Sequence, residues 1–157
     1  MNLKSPMVSV IMPNFNSGKF ISESILSVIN QTFSRLELII IDDNSTDNSL
    51  QIIKKMKNND KRIKLIKLNS NKGPGFARNE GLKVALGKYI TFLDSDDLWK
   101  IDKLEIQIPI MERLSIPVTH TDYGYLNAKG EILSKIFKTS NYEIGFKYLL
   151  RRTEISC

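Results

Sequence analysis

An α/β fold, with a mostly parallel sheet flanked by helices, is what this sequence predicts, and three observations predict it. Strand-like and helix-like segments alternate from Val8 to Leu93, the order that builds parallel sheets. The strand-like segments are short, nearly continuous apolar runs, as in strands buried on both faces. Polar residues gather directly after the first, second and fourth of these runs, where ligands bind in such sheets.

The elements follow in order. Residues 1 to 6 make a loose start. Val8 to Met12 is an apolar run ended by Pro13, and Pro13 to Gly18 is a loop. From Lys19 to Gln31, Phe20, Ile21, Ile25, Val28 and Ile29 recur at helical spacing. Leu36 to Ile41 is a second buried strand, closed by Asp42-Asp43. Asn44-Ser45-Thr46-Asp47 offers N-cap residues to a helix carrying Leu50, Ile53 and Met56 inward. Lys54, Lys55 and Lys57 lie toward that helix's end, where the dipole favours cations.

Ile63 to Leu68 is a third strand with partly exposed character. Asn69 to Gly75 is a Gly/Pro/Asn loop. Phe76 to Leu86 is a helix with Ala77, Leu82, Ala85 and Leu86 inward and Gly87 as its C-cap. Tyr89 to Leu93 is a fourth, buried strand. Beyond Trp99, Lys103 to Leu114 reads as a helix with Leu104, Ile108 and Met111 in phase, which Pro109 would kink or shorten. Val118 to Tyr123 is a fifth strand, Asn127 to Gly130 a hairpin turn and Tyr142 to Arg151 a last helix. Phe76, Phe137 and Phe146 read as core.

Composition excludes several functions. The length of 157 residues suits a single domain over 1–157 with a real core. No apolar run approaches the roughly 20 residues that span a bilayer. Cys157 stands alone, which precludes an internal disulfide and suits the reducing cytoplasm. His120 is the sole histidine, against multi-histidine zinc sites and a Ser-His-Asp triad, and reads as a core or surface residue. The net charge of +6 is spread along the chain without aromatic–basic interleaving, so it argues for a basic surface and against nucleic acid. Lys54, Lys55 and Lys57 read as a solvated face, with peripheral membrane contact the minority reading.

The chemistry concentrates after the fourth strand, in Asp94-Ser95-Asp96-Asp97. Such a knot of negative charge is met by a hard divalent cation, by Lys or Arg, or by water in an ordinary turn. Asn14, Asn16, Asp42 and Asp43 occupy the corresponding ends of the first two strands.

Four segments, in this order, resemble the nucleotide-sugar-binding half of inverting family 2 glycosyltransferases, which have the Rossmann-like GT-A fold. They are Val8 to Asn16 with its Pro13-Asn14-Phe15-Asn16 loop, then Gln31-Thr32-Phe33 followed by Glu37 to Asp47. The third is Asn71-Lys72-Gly73-Pro74-Gly75-Phe76-Ala77-Arg78-Asn79, and the fourth Asp94-Ser95-Asp96-Asp97 as the metal-binding Asp-x-Asp. The match runs from about Met7 to the end.

The resemblance implies a nucleotide-diphospho-sugar donor, UDP-linked, with Mn2+ or Mg2+ as cofactor. It implies a saccharide or lipid-linked acceptor in bacterial surface polysaccharide assembly at the cytoplasmic face of the membrane. Asp96 would ligate the metal, with Asp94 near the ribose or a metal-bound water. Asp43 would accept a hydrogen bond from the base, Phe15 would stack on it, and Pro13 and Asn16 would shape the pocket. Arg78 would reach the base or a phosphate. Ser95 belongs to the same nucleotide-binding set, Asp42 is as readily structural, and Trp99 packs or covers the metal loop.

The family's general base is a carboxylate well beyond the Asp-x-Asp. Asp102, Glu105 and Glu112 follow it too closely, and Asp122 and Glu131 match no base motif. The expectation is therefore a donor-binding half whose catalytic base lies outside the chain. The alternative is a nucleotide-sugar-binding module without transferase activity. A receiver-type signalling domain also places acidic residues at strand ends, but has no place for the Pro13-Asn14-Phe15-Asn16 loop.

Overall fold

The computed structural model of the chain describes residues 5–127 and 131–137. The chain divides into two compact units, one ending at Ile108 and the other beginning at Pro109. The first unit holds β1 (Val8–Asn14), α1 (Ile21–Ile29), β2 (Leu36–Asp42), α2 (Ser49–Asn59), β3 (Ile63–Lys67), α3 (Pro74–Val84) and β4 (Tyr89–Phe92). Its strands lie in the order β3-β2-β1-β4, all parallel. The chain steps outward from β1 to β3, and α3 then returns it to the far side of β1. That reversal creates a switch point between β1 and β4, where ligands of such sheets bind.

β1 and β2 are buried along their whole lengths, as their unbroken apolar runs require. On one face Ile11, Ile39 and Ile41 meet Ala77 of α3. Helix and sheet approach closely there because position 81 has no side chain. A Cβ on Gly81 would lie 2.5 Å from Ile11 Cγ2 and 2.8 Å from Ile41 Cδ1. On the outer layer, α1 and α2 pack against each other.

Pro13 does not end β1, which runs on to Asn14. In a parallel strand, alternate residues direct their backbone groups to opposite neighbours. Ile11 accepts from Leu93 on the β4 side, whereas Asn14 accepts from Asp43 on the β2 side. Pro13 shares the parity of Ile11, and the register with β4 stops at Ile11. Its missing N–H therefore breaks no ladder bond.

Several sequence expectations shift. α3 starts at Pro74, not Phe76, with proline at the first helical position where an N–H is dispensable. Its C-cap is Ala85, not Gly87. Leu82 and Leu86 point outward, and so does Phe20, which precedes α1. Phe76 is also exposed, with the Lys72 ammonium 4.5 Å from its ring centre. β4 is half-exposed because it is an edge among the described residues, leaving Ile90 and Phe92 with accessible surface.

α4 (Lys103–Leu114) keeps its length with Pro109 inside it, and Leu104, Ile108 and Met111 are buried in phase as expected. In the second unit β5 (Tyr123–Leu126) and β6 (Ile132–Phe137) form an antiparallel pair. The fifth strand thus begins where Val118 to Tyr123 was expected to end. The hairpin sets its position: Asn127 N donates to Glu131 O at 3.0 Å and Leu126 pairs with Ile132. Val118 has no such pairing among the described residues and is exposed. Residues 128–130 of the expected turn, the helix expected over 142–151, Phe146 and Cys157 lie outside the described residues, as does the Phe137 side chain.

At the end of the sheet opposite the candidate site, Glu37 anchors the α3–β4 turn. Its carboxylate accepts from Ser9 Oγ at 2.6 Å and Leu86 N at 2.8 Å, and pairs with Lys64 Nζ at 2.6 Å. Ser9 Oγ accepts from Gly87 N at 2.8 Å. Burial alone would raise this carboxyl, but the Lys64 and Ser9 hydrogen bonds, the Leu86 amide and the Lys64 charge hold it below its ordinary value. A depressed folded-state value stabilises the fold above the unfolded value and loses that contribution as pH falls through the folded one. Glu37→Gln is expected to cost about 2 kcal/mol at neutral pH, less than a fully buried pair because Lys64 is partly solvated. Urea unfolding of both proteins at pH 7 and pH 3 checks this: the difference should shrink at the lower pH.

Candidate functional site

The carboxyl edge of the sheet is assembled by side chains that tie neighbouring loops together. Asn14, buried at the end of β1, donates from Nδ2 to Asp42 Oδ1 at 2.8 Å and to the Ser45 and Ser49 hydroxyls at 3.1 and 3.2 Å. Asp42 also accepts from Ser45 N. Asp42 is therefore a structural carboxylate, the role left open for it above.

Asn16 adopts φ 53°, a left-handed conformation that asparagine tolerates. Its Oδ1 accepts from the amides of Thr46 at 2.8 Å and Asp47 at 3.3 Å. Asp47 in turn accepts from Gly18 N and from Ser49. The loop after β1 and the loop after β2 are thus clamped together. Pro13 is buried beneath them, while Phe15 projects with 47% of its surface exposed. An accessible ring on a fixed loop suits stacking.

Asp43 is 2% exposed, and both its oxygens are used. Oδ1 accepts from Lys72 N at 2.8 Å and Oδ2 from Gly73 N at 2.7 Å. Gly73 has φ 84°, a conformation glycine adopts without strain, and it immediately precedes α3. Asp43 therefore fixes the start of α3. Two further lone-pair directions remain for a ligand donor.

One turn into α3, Arg78 reaches the loop after β4. Its Nη2 lies 2.6 Å from Asp94 Oδ1, with the two side chains 27% and 38% exposed. The Arg78 Nε is buried and has no acceptor among the described residues. Sequence reasoning placed both residues at the nucleotide but not as partners.

The rest of this loop is fixed from beneath. The Ser95 and Ser17 hydroxyls are 2.6 Å apart, and Ser24 Oγ donates to Ser95 O at 2.9 Å. Ser95 is buried, so its visible partners are in the scaffold. Asp96 is exposed and has no hydrogen bond or ion pair from any described residue. Partial burial, then the charges of Asp96 and Asp94, raise the Asp97 carboxyl above its ordinary value. The loop is therefore a place of uncompensated negative charge.

Gln31 is a positioning residue to which the sequence reading gave no role. Its Nε2 donates to Lys100 O at 2.7 Å and its Oε1 accepts from Leu104 N at 3.0 Å. Thr32 N adds a bond to Ile101 O at 3.0 Å. These hold the segment that follows the acidic loop. The signal was present as a polar residue directly after a helix, but its partners lie about seventy positions away in sequence. Trp99 is half-buried: it lines a groove of about 380 Å³ with Leu26, Leu98 and Ile101, and Lys103 lies over its ring. Glu131, one of the two carboxylates considered as a base, is paired with Asn127 in the hairpin.

The sequence pattern of glycosyl transferase family 2 matches residues 9–154. The chain belongs to this family. It is 40% identical over 151 residues to an Escherichia coli protein named UDP-Glc:alpha-D-GlcNAc-diphosphoundecaprenol beta-1,3-glucosyltransferase WfgD, covering 96% of this chain and 58% of that one. The structure is similar to S. aureus TarS in complex with UDP, with a TM-score of 0.64 and 38% identity over 68% of this chain and 32% of that chain. It is also similar to the mannosyltransferase PcManGT of Pyrobaculum calidifontis in complex with GDP-Man and Mn2+, at TM-score 0.63 and 25% identity over 68% of this chain and 32% of that one. The fold is accordingly the GT-A fold expected from the sequence. The chain spans less than two thirds of the length of the first curated relatives it matches.

Among the described residues no three or more Asp, Glu, His or Cys side chains come together as a metal-holding set. Asp94, Asp96 and Asp97 nevertheless offer hard oxygen donors. A small divalent ion bound to a nucleotide needs only one or two protein carboxylates, because phosphates and water complete its shell. The residues present fit a cation that arrives with a diphosphate.

Proposed function

We propose that this chain binds a UDP-sugar at the β1/β4 switch point, as the donor-binding part of a metal-dependent, inverting hexosyltransferase. The acceptor in this reading is a saccharide or lipid-linked saccharide, in bacterial surface polysaccharide assembly at the inner face of the membrane. The observation that carries it is one edge holding the fixed cation Arg78 beside the uncompensated carboxylate Asp96. A diphosphate and a divalent ion together satisfy both. The UDP complex of TarS, the Mn2+ complex of PcManGT and the lipid-diphosphate acceptor in the name of WfgD support the same reading.

In this reading Phe15 stacks on the uracil, and Asp43 uses a remaining lone pair to accept the imide N–H. Pro13 and Asn16 hold the floor and rim of that pocket, and Ser95 fixes the acidic loop from below. Asp94 lies toward the ribose, Asp96 is the direct metal ligand, and Arg78 faces the diphosphate. When bound, the divalent ion stabilises the negative charge that develops on the leaving phosphate, without proton transfer.

Calorimetric titration with UDP in manganese and in EDTA tests the proposal. Affinity should be at least about tenfold higher with manganese, a difference of ~1.4 kcal/mol, and UDP should outcompete GDP. Equal affinities in the two buffers would remove the metal from the proposal.

A further inference from the structure

We infer that Arg78 is the standing counter-ion of Asp94 and that it makes divalent-metal binding conditional on the nucleotide. The inference rests on the donor-site reading above and adds to it an order of dependence. Three observations carry it. Arg78 Nη2 and Asp94 Oδ1 are 2.6 Å apart, so one carboxylate of the acidic loop is already neutralised. Asp96 is left without a partner, and no set of three metal-holding side chains forms among the described residues. Among the described residues Asp94 engages only Nη2 of Arg78, whose side chain is 27% exposed, so the guanidinium retains accessible N–H donors for a second anion.

A bare cation approaching this loop meets a reduced negative field. Asp94 is engaged, and the guanidinium that engages it repels any second positive charge nearby. A diphosphate changes the balance in two ways. Its oxygens complete the coordination that the chain itself leaves incomplete. They also give Arg78 an anion to bind in place of, or beside, Asp94, through the charge-assisted bonds guanidinium forms best. Metal and nucleotide then strengthen each other, and linkage makes the effect reciprocal.

The competing role for Arg78 is a tie between α3 and the loop after β4. A tie predicts lost thermal stability on substitution and no gain in metal affinity. The counter-ion role predicts that removing the charge frees Asp94 for metal.

The experiment titrates MnCl2 into the full chain, following free Mn2+ by electron paramagnetic resonance, alone and then with saturating UDP. Wild type, R78Q, R78M and R78K are compared, with thermal melts confirming folding. R78Q should bind Mn2+ alone about fivefold more tightly than wild type, the scale of one partly exposed ion pair. The strengthening that UDP confers should shrink in the same variant. R78K keeps the charge and should bind Mn2+ alone as wild type does. Should R78Q fail to fold, R78M carries the same expectation. Unchanged or weaker binding of Mn2+ alone by the charge-removed variants, beside a wild type that binds Mn2+ with UDP, would overturn this inference and leave the donor-site reading standing. A wild type that binds no Mn2+ even with UDP would overturn both.

Discussion

Asp96→Ala is expected to bring UDP affinity in manganese down to the value measured in EDTA. Asp42 is buried and bonded to Asn14, Asp43 is buried and bonded to two amides, Asp47 accepts from Gly18 and Ser49, and Asp94 pairs with Arg78. Asp96, like its neighbour Asp97, combines exposure with freedom from any described side-chain partner. Removing it therefore breaks no scaffold bond, and the melting temperature should stay close to that of wild type. What it removes is a ligand for the metal–nucleotide complex, worth on the order of 1.5–3 kcal/mol for a charge-assisted contact. Asp97→Ala is the control. In the reading above the metal bond falls on Asp96 and not on this neighbour, whose carboxyl is held up by partial burial and by the charges of Asp96 and Asp94. Calorimetry in both buffers decides the matter: manganese dependence that survives in D96A and vanishes in D97A would mean the ligand is Asp97.

The sheet and its site were legible where one physical signal dominated. The apolar runs of β1 and β2 could only be buried on both faces, and they are. The alternation of elements pointed to parallel pairing, and the polar strand ends marked the edge where the candidate site lies. The failures share a cause, because burial depends on what packs alongside. Leu82 and Leu86 match helical spacing as well as Ala77 does, yet α3 presents Ala77 and Gly81 to the sheet, since small residues permit close approach. β4 reads like β2 in sequence, but among the described residues it has one neighbour where β2 has two. β5 took its position from a hairpin register that Val118 could not reveal.

Within the site, the sequence marked which residues gather but not how they divide the work. Asn14, Asp42, Asn16 and Ser95 stand in the same strand-end clusters as Asp43, Asp94 and Asp96. The difference is what their partners leave over: Asn14, Asp42, Asn16 and Ser95 bond within the scaffold, Asp43 and Asp94 are held from other loops as well, and Asp96 has no described partner; the partners lie far away in sequence. Gln31 is the extreme case: its three bonds join the end of α1 to residues 100–104 and prepare the ground behind the acidic loop. A local motif cannot show such partners, because they meet only once the sheet has ordered the loops.

Asp43→Ala is expected to lower both stability and donor affinity, and the pairing of those effects separates two roles for this carboxylate. A residue that served only to accept the imide N–H of uracil would lose ~1–3 kcal/mol of binding on substitution and leave the melting temperature alone. In the structure Asp43 also holds the amides of Lys72 and Gly73, both through a carboxylate 2% exposed. Losing it strands two donors, at a cost to folding of about 3 kcal/mol. The affected backbone is Gly73, at φ 84°, whose placement sets the first turn of α3 and thereby Arg78 four residues after Pro74. UDP should consequently weaken by more than uridine alone, because the diphosphate end loses its oriented cation while the base end loses its acceptor. Asp43→Asn should be no milder, since its amide nitrogen would face one of those two N–H groups. Thermal melts and calorimetry with uridine and with UDP separate the cases. A stable D43A that loses uridine affinity would make Asp43 a base contact alone. A destabilised D43A that binds uridine normally would make it a scaffold residue and move the base to another acceptor.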